Sequence, residues 1–296
     1  MSFRYSNNEP SWVVNNARGS TAQAVAKNQK SRLLQLPGEL LNRIYEYALT
    51  DTSPCGLQYV THLSIYGERK RTFTSANGIE LNRLKYVCGK LYAETAGLEL
   101  KFNTVTFRFR EPANSFSVFL EASSPSVAAM LTTVILSSSD PNDILPEPFR
   151  ALLPVMWFCK QNPRVTVKYI WEIWRLGGYY DSNQAAVYIT PLAIERFMDI
   201  GAFLSDCLRG KSLNIPNQYL YYLLVDQLGA WSDPMHIRRL DFQKSSVPNF
   251  RFFPNVSSIG TEFKRAATHY TTIRNYKIGT DKAWVEYAKS WVKDGI

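Results

Sequence analysis

Between Thr104 and Ile170 the spacing of apolar residues changes character four times, and this alternation restricts the possible architectures more than any other feature of the chain. Thr104-Val-Thr-Phe-Arg-Phe109 alternates polar and apolar residues, a period of two that predicts a strand. Asn114 or Ser115 is placed to cap a helix carrying Phe116, Phe119 and Leu120. Thr132–Ser137 predicts a second strand, the apolar residues from Pro148 to Cys159 fall at helical spacing, and Arg164–Ile170 predicts a third strand. Strand, helix, strand, helix, strand in so short a stretch suits parallel pairing, because parallel neighbours can be joined only by a crossover. A small α/β layer of βαβαβ type is therefore expected. No repeat of convincing period accompanies it, so a leucine-rich solenoid finds no support in the sequence.

The segments on either side are mostly helical in pattern. In Leu33–Leu49, Pro37 sits where a helix start tolerates a missing N–H. Behind it Leu40, Leu41, Ile44, Tyr47 and Ala48 share one face, and Glu39, Asn42, Arg43 and Glu46 take the other. Such a helix can cover a core or dock a partner. Asp51–Gly56 is a turn cluster that stops it. Gln58–Tyr66 and Arg71–Thr74, around Gly67-Glu-Arg-Lys70, predict a hairpin. Leu81, Leu84, Cys88, Leu91, Thr95 and Leu98 trace one long amphipathic helix. Further on, Pro191 opens a helix ended by Gly210, and Pro216 opens another through Leu228. The three prolines in 231–254 favour irregular or extended chain. Thr280 is placed to cap a last helix with Trp284, Tyr287, Ala288 and Trp291 on one face, either docked on the core or offered to a partner. The expected fold is α+β: two helices with an inserted β-hairpin, the small α/β layer, and C-terminal helices covering it. Residues 1–30, rich in Asn, Ser, Gln and Ala, form a flexible arm. Residues 31–110 then form the helical region with its hairpin, and 111–296 continue the same core.

Composition narrows the functional classes. Hydrophobic residues make up 45% of the 296 and aromatics 14%, enough for a sizeable core. No apolar run has membrane-spanning length, and the first residues lack the apolar stretch of a secretory signal. Cys55, Cys88, Cys159 and Cys207 form no C-x-x-C pair, which suits reduced thiols in the cytoplasm or nucleus. The net charge of +9 is uneven: residues 60–110 carry a balance of +5, residues 111–235 of −4, and residues 236–296 of +6. This asymmetry admits an acidic partner, including nucleic acid or chromatin, with Arg69, Lys70 and Arg71 as the clustered contact and Tyr270, Tyr276 or Trp284 as stacking aromatics.

Nothing in the chain spells out catalytic chemistry. His62, His236 and His269 share no ligand spacing with one another or with a cysteine, so no metal set is legible. Neither G-x-x-x-x-G-K-(S/T), G-x-G-x-x-G nor G-x-S-x-G occurs. Cys88 lies on an apolar stripe, and carboxylate pairs such as Glu94 and Glu99 or Asp140 and Asp143 carry no meaning without a cleft. The expectation is a non-enzyme with no catalytic residue, cofactor or metal. Glu94 is expected either to pair with Lys90 or Lys101 or to tie its helix to a neighbouring backbone.

Two segments together carry a resemblance. Leu36-Pro-Gly-Glu-Leu-Leu-Asn-Arg-Ile-Tyr-Glu-Tyr-Ala-Leu49 matches the pattern L-P-x-E-L-x-N-x-I-Y-x-Y-A-L, and Val87-Cys-Gly-Lys-Leu-Tyr-Ala-Glu-Thr95 precedes Asn103-Thr-Val-Thr-Phe107. In these segments the chain resembles a large family of fungal F-box-like proteins. The resemblance covers residues 31–110 and extends only loosely into the α/β stretch beyond them. It implies a non-catalytic interaction module whose leading helices bind the Skp-type adaptor of a cullin ubiquitin ligase, presenting an unspecified protein substrate. The residues it implies for adaptor binding are Leu36, Pro37, Leu40, Leu41, Ile44 and Tyr47, with Leu84, Val87, Cys88, Leu91 and Tyr92 in the later helix. A charged hairpin containing Arg69-Lys-Arg71 intervenes between the two helices.

Overall fold

The computed structural model describes residues 31–53, 56–63, 69–138, 149–171, 247–254 and 281–296, with Met198, Gly201, Leu204, Ser205, Arg209, 263–265 and Thr268. The arm at 1–30, the helix expected at 216–228 and most of the helix expected at 190–210 lie outside the described residues. The chain runs through α1 (Gly38–Leu49), β1 (Leu57–Leu63), β2 (Arg69–Thr74), α2 (Gly89–Thr95) and α3 (Leu98–Phe102). It continues through β3 (Thr104–Phe109), α4 (Pro112–Ala122), α5 (Pro125–Ala128), β4 (Thr133–Ser138) and α6 (Phe149–Gln161). Beyond these lie β5 (Thr166–Trp171), β6 (Phe250–Pro254) and α7 (Asp281–Asp294).

The fold is mixed α/β, with one six-stranded sheet in the order β2-β1-β3-β4-β5-β6. β1 and β2 pair antiparallel, and every other neighbouring pair is parallel. The layer is therefore larger than the three strands expected from Thr104–Ile170. The hairpin forms one end of this sheet, and the end of the region expected to be irregular or extended supplies its far edge, Phe250–Pro254. Among the described residues the outward backbone groups of β6 meet no further strand: Phe252 exchanges hydrogen bonds with Ile296 at 3.2 and 2.8 Å, and the strand ends on Pro254, as an edge position permits. After β1, strand order follows chain order, so successive crossovers step in one direction and create no reversal where a doubly wound sheet would open a crevice.

Two register lines build the buried face. Val105, Val134, Val167 and Phe250 lie side by side, as do Phe107, Leu136, Tyr169 and Phe252, and all eight are buried. The helix α4 between β3 and β4 packs on this face. Phe116 and Phe119 of α4 meet Phe107 at ring-centroid distances of 5.0 and 5.6 Å, and Tyr59 meets Phe107 at 4.8 Å. Trp284, Ala288 and Trp291 of α7 join the same core, so the last helix docks intramolecularly.

Polar side chains bind the far end of the sheet together. Asn249 donates its amide to the carbonyls of Cys159, Asn162 and Val165 at 3.0, 3.1 and 2.7 Å, tying β6 to the end of α6 and to the turn before β5. Arg209 donates to the carbonyls of Val247, Phe250 and Ile296 at 3.0, 2.8 and 3.0 Å. Gly56 enters β1 at φ +60°, where a Cβ would collide with the Thr104 carbonyl of the adjoining strand.

Two further expectations are corrected. The stripe from Leu81 to Leu98 is not one helix: a 3-10 turn at Leu84–Tyr86 precedes α2, and Ala96 turns extended before Gly97 at φ +85°. A left-handed residue cannot continue an α-helix, and glycine adopts that conformation without a steric penalty. The helix expected to begin at Asn114 or Ser115 begins at Pro112, a proline at the first helical position.

Contacts divide the chain into two compact units. One joins residues 31–50 with Asn82–Glu99, and the other joins Asp51–Leu81 with Leu100–Ile296. The hairpin belongs to the second unit, with the sheet.

Candidate functional site

In the smaller unit, α1 presents two different apolar rows. Leu41, Tyr45 and Leu49, each four residues apart, are buried. Leu40, Ile44 and Tyr47 lie beside them and are 46%, 37% and 90% exposed. Pro37 is the N-cap, its carbonyl accepting from the N–H groups of Leu40 and Leu41 at 3.0 and 3.1 Å, and Glu39 places a carboxylate in the first turn, where the helix dipole favours it. The Thr50 hydroxyl donates to the Glu46 carbonyl at 2.6 Å and closes the last turn.

The buried row is locked by polar contacts. The Tyr45 hydroxyl donates to Glu94 Oε2 at 2.6 Å, and Lys90 Nζ stands 3.9 Å from Glu94 Oε1. Lys90 also reaches the Leu34 carbonyl at 3.4 Å. Glu94 thus takes the Lys90 pairing expected of it and ties α2 to α1 through a phenol. Burial, and then the bond to Glu94, push the Tyr45 phenol well above its ordinary value. Beneath α2, buried Asn82 donates to the Thr95 carbonyl and to Glu99 Oε2, both at 2.7 Å. The Thr95 hydroxyl donates to the Leu91 carbonyl at 2.7 Å, so the polar atoms of this small core are paired inside it.

Of the six residues implied for adaptor binding, Leu40, Ile44, Tyr47 and Pro37 are exposed, Leu36 is half-buried and Leu41 is buried. Leu41 therefore belongs to the anchoring row. In the second segment Val87 and Tyr92 are exposed, Leu84 and Cys88 are half-buried, and Leu91 is buried; Tyr86, which the pattern did not single out, is also exposed. Sequence reasoning missed Tyr45, Asn82 and Glu99. The spacing of Leu41, Tyr45 and Leu49 was a usable signal for the first, whereas the other two are polar residues whose burial has no local signature.

The basic cluster is arranged differently. Arg69, Lys70 and Arg71 open β2 at the outer edge of the sheet, opposite Leu63, His62 and Thr61; their side chains lie outside the described residues. Trp284, proposed as a stacking aromatic, is buried in the core, and Tyr270 and Tyr276 lie outside the described residues.

In the larger unit, a groove of about 470 Å³ runs between α4, α5 and α6, with Trp157 and Phe158 in its wall and Glu121 as the ionisable side chain of its lining. A lone exposed carboxylate provides no acid–base pair. Cys159 is fully buried, and burial pushes its thiol up to about 12, which keeps it protonated and unreactive at neutral pH. Among the described residues no group of three or more His, Cys, Asp or Glu could hold a metal ion, and no helix is long and apolar enough to cross a membrane. Comparison with protein-family models, with curated proteins and with solved structures returned no match for this chain.

Proposed function

We propose that the chain is a non-catalytic protein-interaction module of F-box-like type, whose smaller unit docks a Skp-type adaptor of a cullin ubiquitin ligase. The observation that carries this reading is the division of α1 into an anchored row and an open row. A helix cannot use one set of side chains for both core and interface, and here it has two sets. Leu40, Ile44 and Tyr47 stand at i, i+4 and i+7, the spacing with which a helix fills an apolar groove on a partner. Tyr47 at 90% exposure offers an aromatic anchor of the kind that dominates interface energies. Tyr86, Val87 and Tyr92 add exposed apolar area within the same compact unit. The resemblance of Leu36–Leu49 and Val87–Thr95 to F-box-like proteins supplies the identity of the partner.

The test is capture of a purified Skp-type adaptor on immobilised full-length chain, repeated with a Leu40→Asp/Ile44→Asp variant. Adaptor retained by the natural chain and lost from the variant, with the far-UV circular dichroism of the two unchanged, supports docking through the open row. An adaptor that fails to bind the natural chain, or binds both equally, refutes it.

A further inference from the structure

The two faces of the sheet differ in a way that parallel sheets rarely show. Residues 105 and 107, 134 and 136, 167 and 169, and 250 and 252 are buried, whereas their sequence neighbours on the opposite face keep contact with solvent. Parallel sheets are ordinarily covered on both faces and read as continuous apolar runs. Here the alternate positions are Thr104, Thr106 and Arg108 on β3 and Thr133, Ile135 and Ser137 on β4, half-buried except for the exposed Arg108.

The register shows what this face displays. Ile135, Lys168 and Arg251 are direct neighbours on β4, β5 and β6. In the next line, Arg108 of β3 leads through Ser137 to Ile170 and Phe253. Lys168 lies 5.6 Å from the centre of the Phe253 ring, so cation and aromatic already form one surface. Arg108 and Arg251 are exposed, and on this face β3, β4, β5 and β6 carry three cations and no carboxylate. Cations and aliphatic side chains are therefore interleaved at strand spacing, about 4.8 Å across the sheet and about 7 Å along it.

We infer that this open face binds an extended acidic segment of a protein partner, one in which Asp or Glu and an apolar residue follow each other at every second position, so that both kinds lie on the side facing the sheet. Charge complementarity selects the acid: carboxylates approaching Arg108, Lys168 and Arg251 meet no repelling group among the described strand positions. Ile135 and Ile170 between the cations select the apolar partner residues, since same-side side chains of an extended peptide repeat at the along-strand distance. Nucleic acid fits less well, because three cations release few counterions and the Phe253 ring is already occupied by Lys168. This surface lies in the sheet-bearing unit, and the inference does not depend on adaptor docking by α1.

The test is fluorescence anisotropy with the full chain and a labelled short peptide repeating Glu-Ser-Val-Ser, which puts Glu and Val in turn on one side of the extended chain. The same peptide with Lys for Glu and a single-stranded oligonucleotide of equal charge are the comparison probes. The acidic peptide should bind, and its affinity should fall at least about tenfold in an Arg108→Glu/Lys168→Glu variant and weaken with added salt. Arg251 is left intact because it donates to the Pro248 and Asp294 carbonyls and holds the local backbone. Lys289→Glu, on the exposed side of α7, should leave binding unchanged. If the charge reversal disturbs the fold, the Arg108→Gln/Lys168→Gln pair is measured instead, with a smaller loss in the same direction. Equal binding to the natural chain and the face variants overturns the inference, as does a preference for the oligonucleotide or no binding of the acidic peptide.

Discussion

If the two rows of α1 are anchor and interface, truncating them must have unequal costs. Leu49 is fully buried and Leu41 is 7% exposed. Leu→Ala at either position removes most of a buried side chain and leaves a cavity, which costs about 2–5 kcal/mol. Leu40 is already 46% exposed and Ile44 37%. Full burial of such a side chain is worth roughly 1.5–3 kcal/mol, so about half of that is at stake. Solvent fills the space at the surface, so no cavity term is added. Leu40→Ala and Ile44→Ala should each cost about 1 kcal/mol, and Tyr47→Ala should stay within roughly 0.5 kcal/mol of the natural chain. The assay is urea unfolding of the full chain followed by far-UV circular dichroism, with midpoints compared at a common slope. A loss in Leu40→Ala or Ile44→Ala equal to that in Leu49→Ala would show that the open row is core, and adaptor docking through it would fall with that result.

Asn249→Ala should lower stability by about 1–3 kcal/mol, because the carbonyls at the end of α6 and before β5 lose a shared donor; an unchanged urea midpoint would contradict that role. Tyr45→Phe should cost about 1–3 kcal/mol by removing a hydrogen bond to a carboxylate, and replacing Glu94 by Gln should recover little of it when the phenol is already gone; additive losses in the double variant would argue against the pairing. Cys159 ionises near 9.0 in the unfolded chain and at about 12 in the folded one, so between those values the unfolded state has lost a proton that the folded state keeps. Its contribution is therefore complete below pH 9 and declines as pH rises, by up to about 1.4 kcal/mol per pH unit. Cys159→Ala should flatten the alkaline decline in urea midpoint even though the variant starts from a lower value, and an unaltered slope would refute the assignment.

The parts of the fold that were legible are those whose pattern is local. β3, β4 and β5 alternate within a single run of residues, and the helices between them show their own period, so the parallel layer and its order could be read directly. The pairing of β1 with β3 was not legible, because nothing in Gln58-Tyr-Val identifies a partner nearly fifty residues away. β6 is five residues long, follows Pro248 closely and ends on Pro254, and its partner β5 is about eighty residues upstream; its position at the edge makes that composition acceptable. Gly97 was visible but ambiguous. A glycine inside an apolar stripe can be tolerated by a helix or can end it, and the left-handed backbone that decided the matter arises from the turn into α3.

The candidate site has a similar ambiguity with more consequence. Two apolar rows lie next to each other on α1, Leu40–Ile44–Tyr47 and Leu41–Tyr45–Leu49, and the sequence pattern grouped Leu41 with the first while leaving Tyr45 and Leu49 out. What separates them is a tertiary contact: Glu94 on α2 takes the Tyr45 hydroxyl and so turns the Leu41–Tyr45–Leu49 row inward. Once that row is fixed, the neighbouring one is carried outward by the 100° step between adjacent residues. A helix that is apolar on both rows and anchored by one has a surface that its own unit does not use. Burial of Leu41 and Leu49, together with this polar bond, leaves Leu40, Ile44 and Tyr47 exposed to solvent.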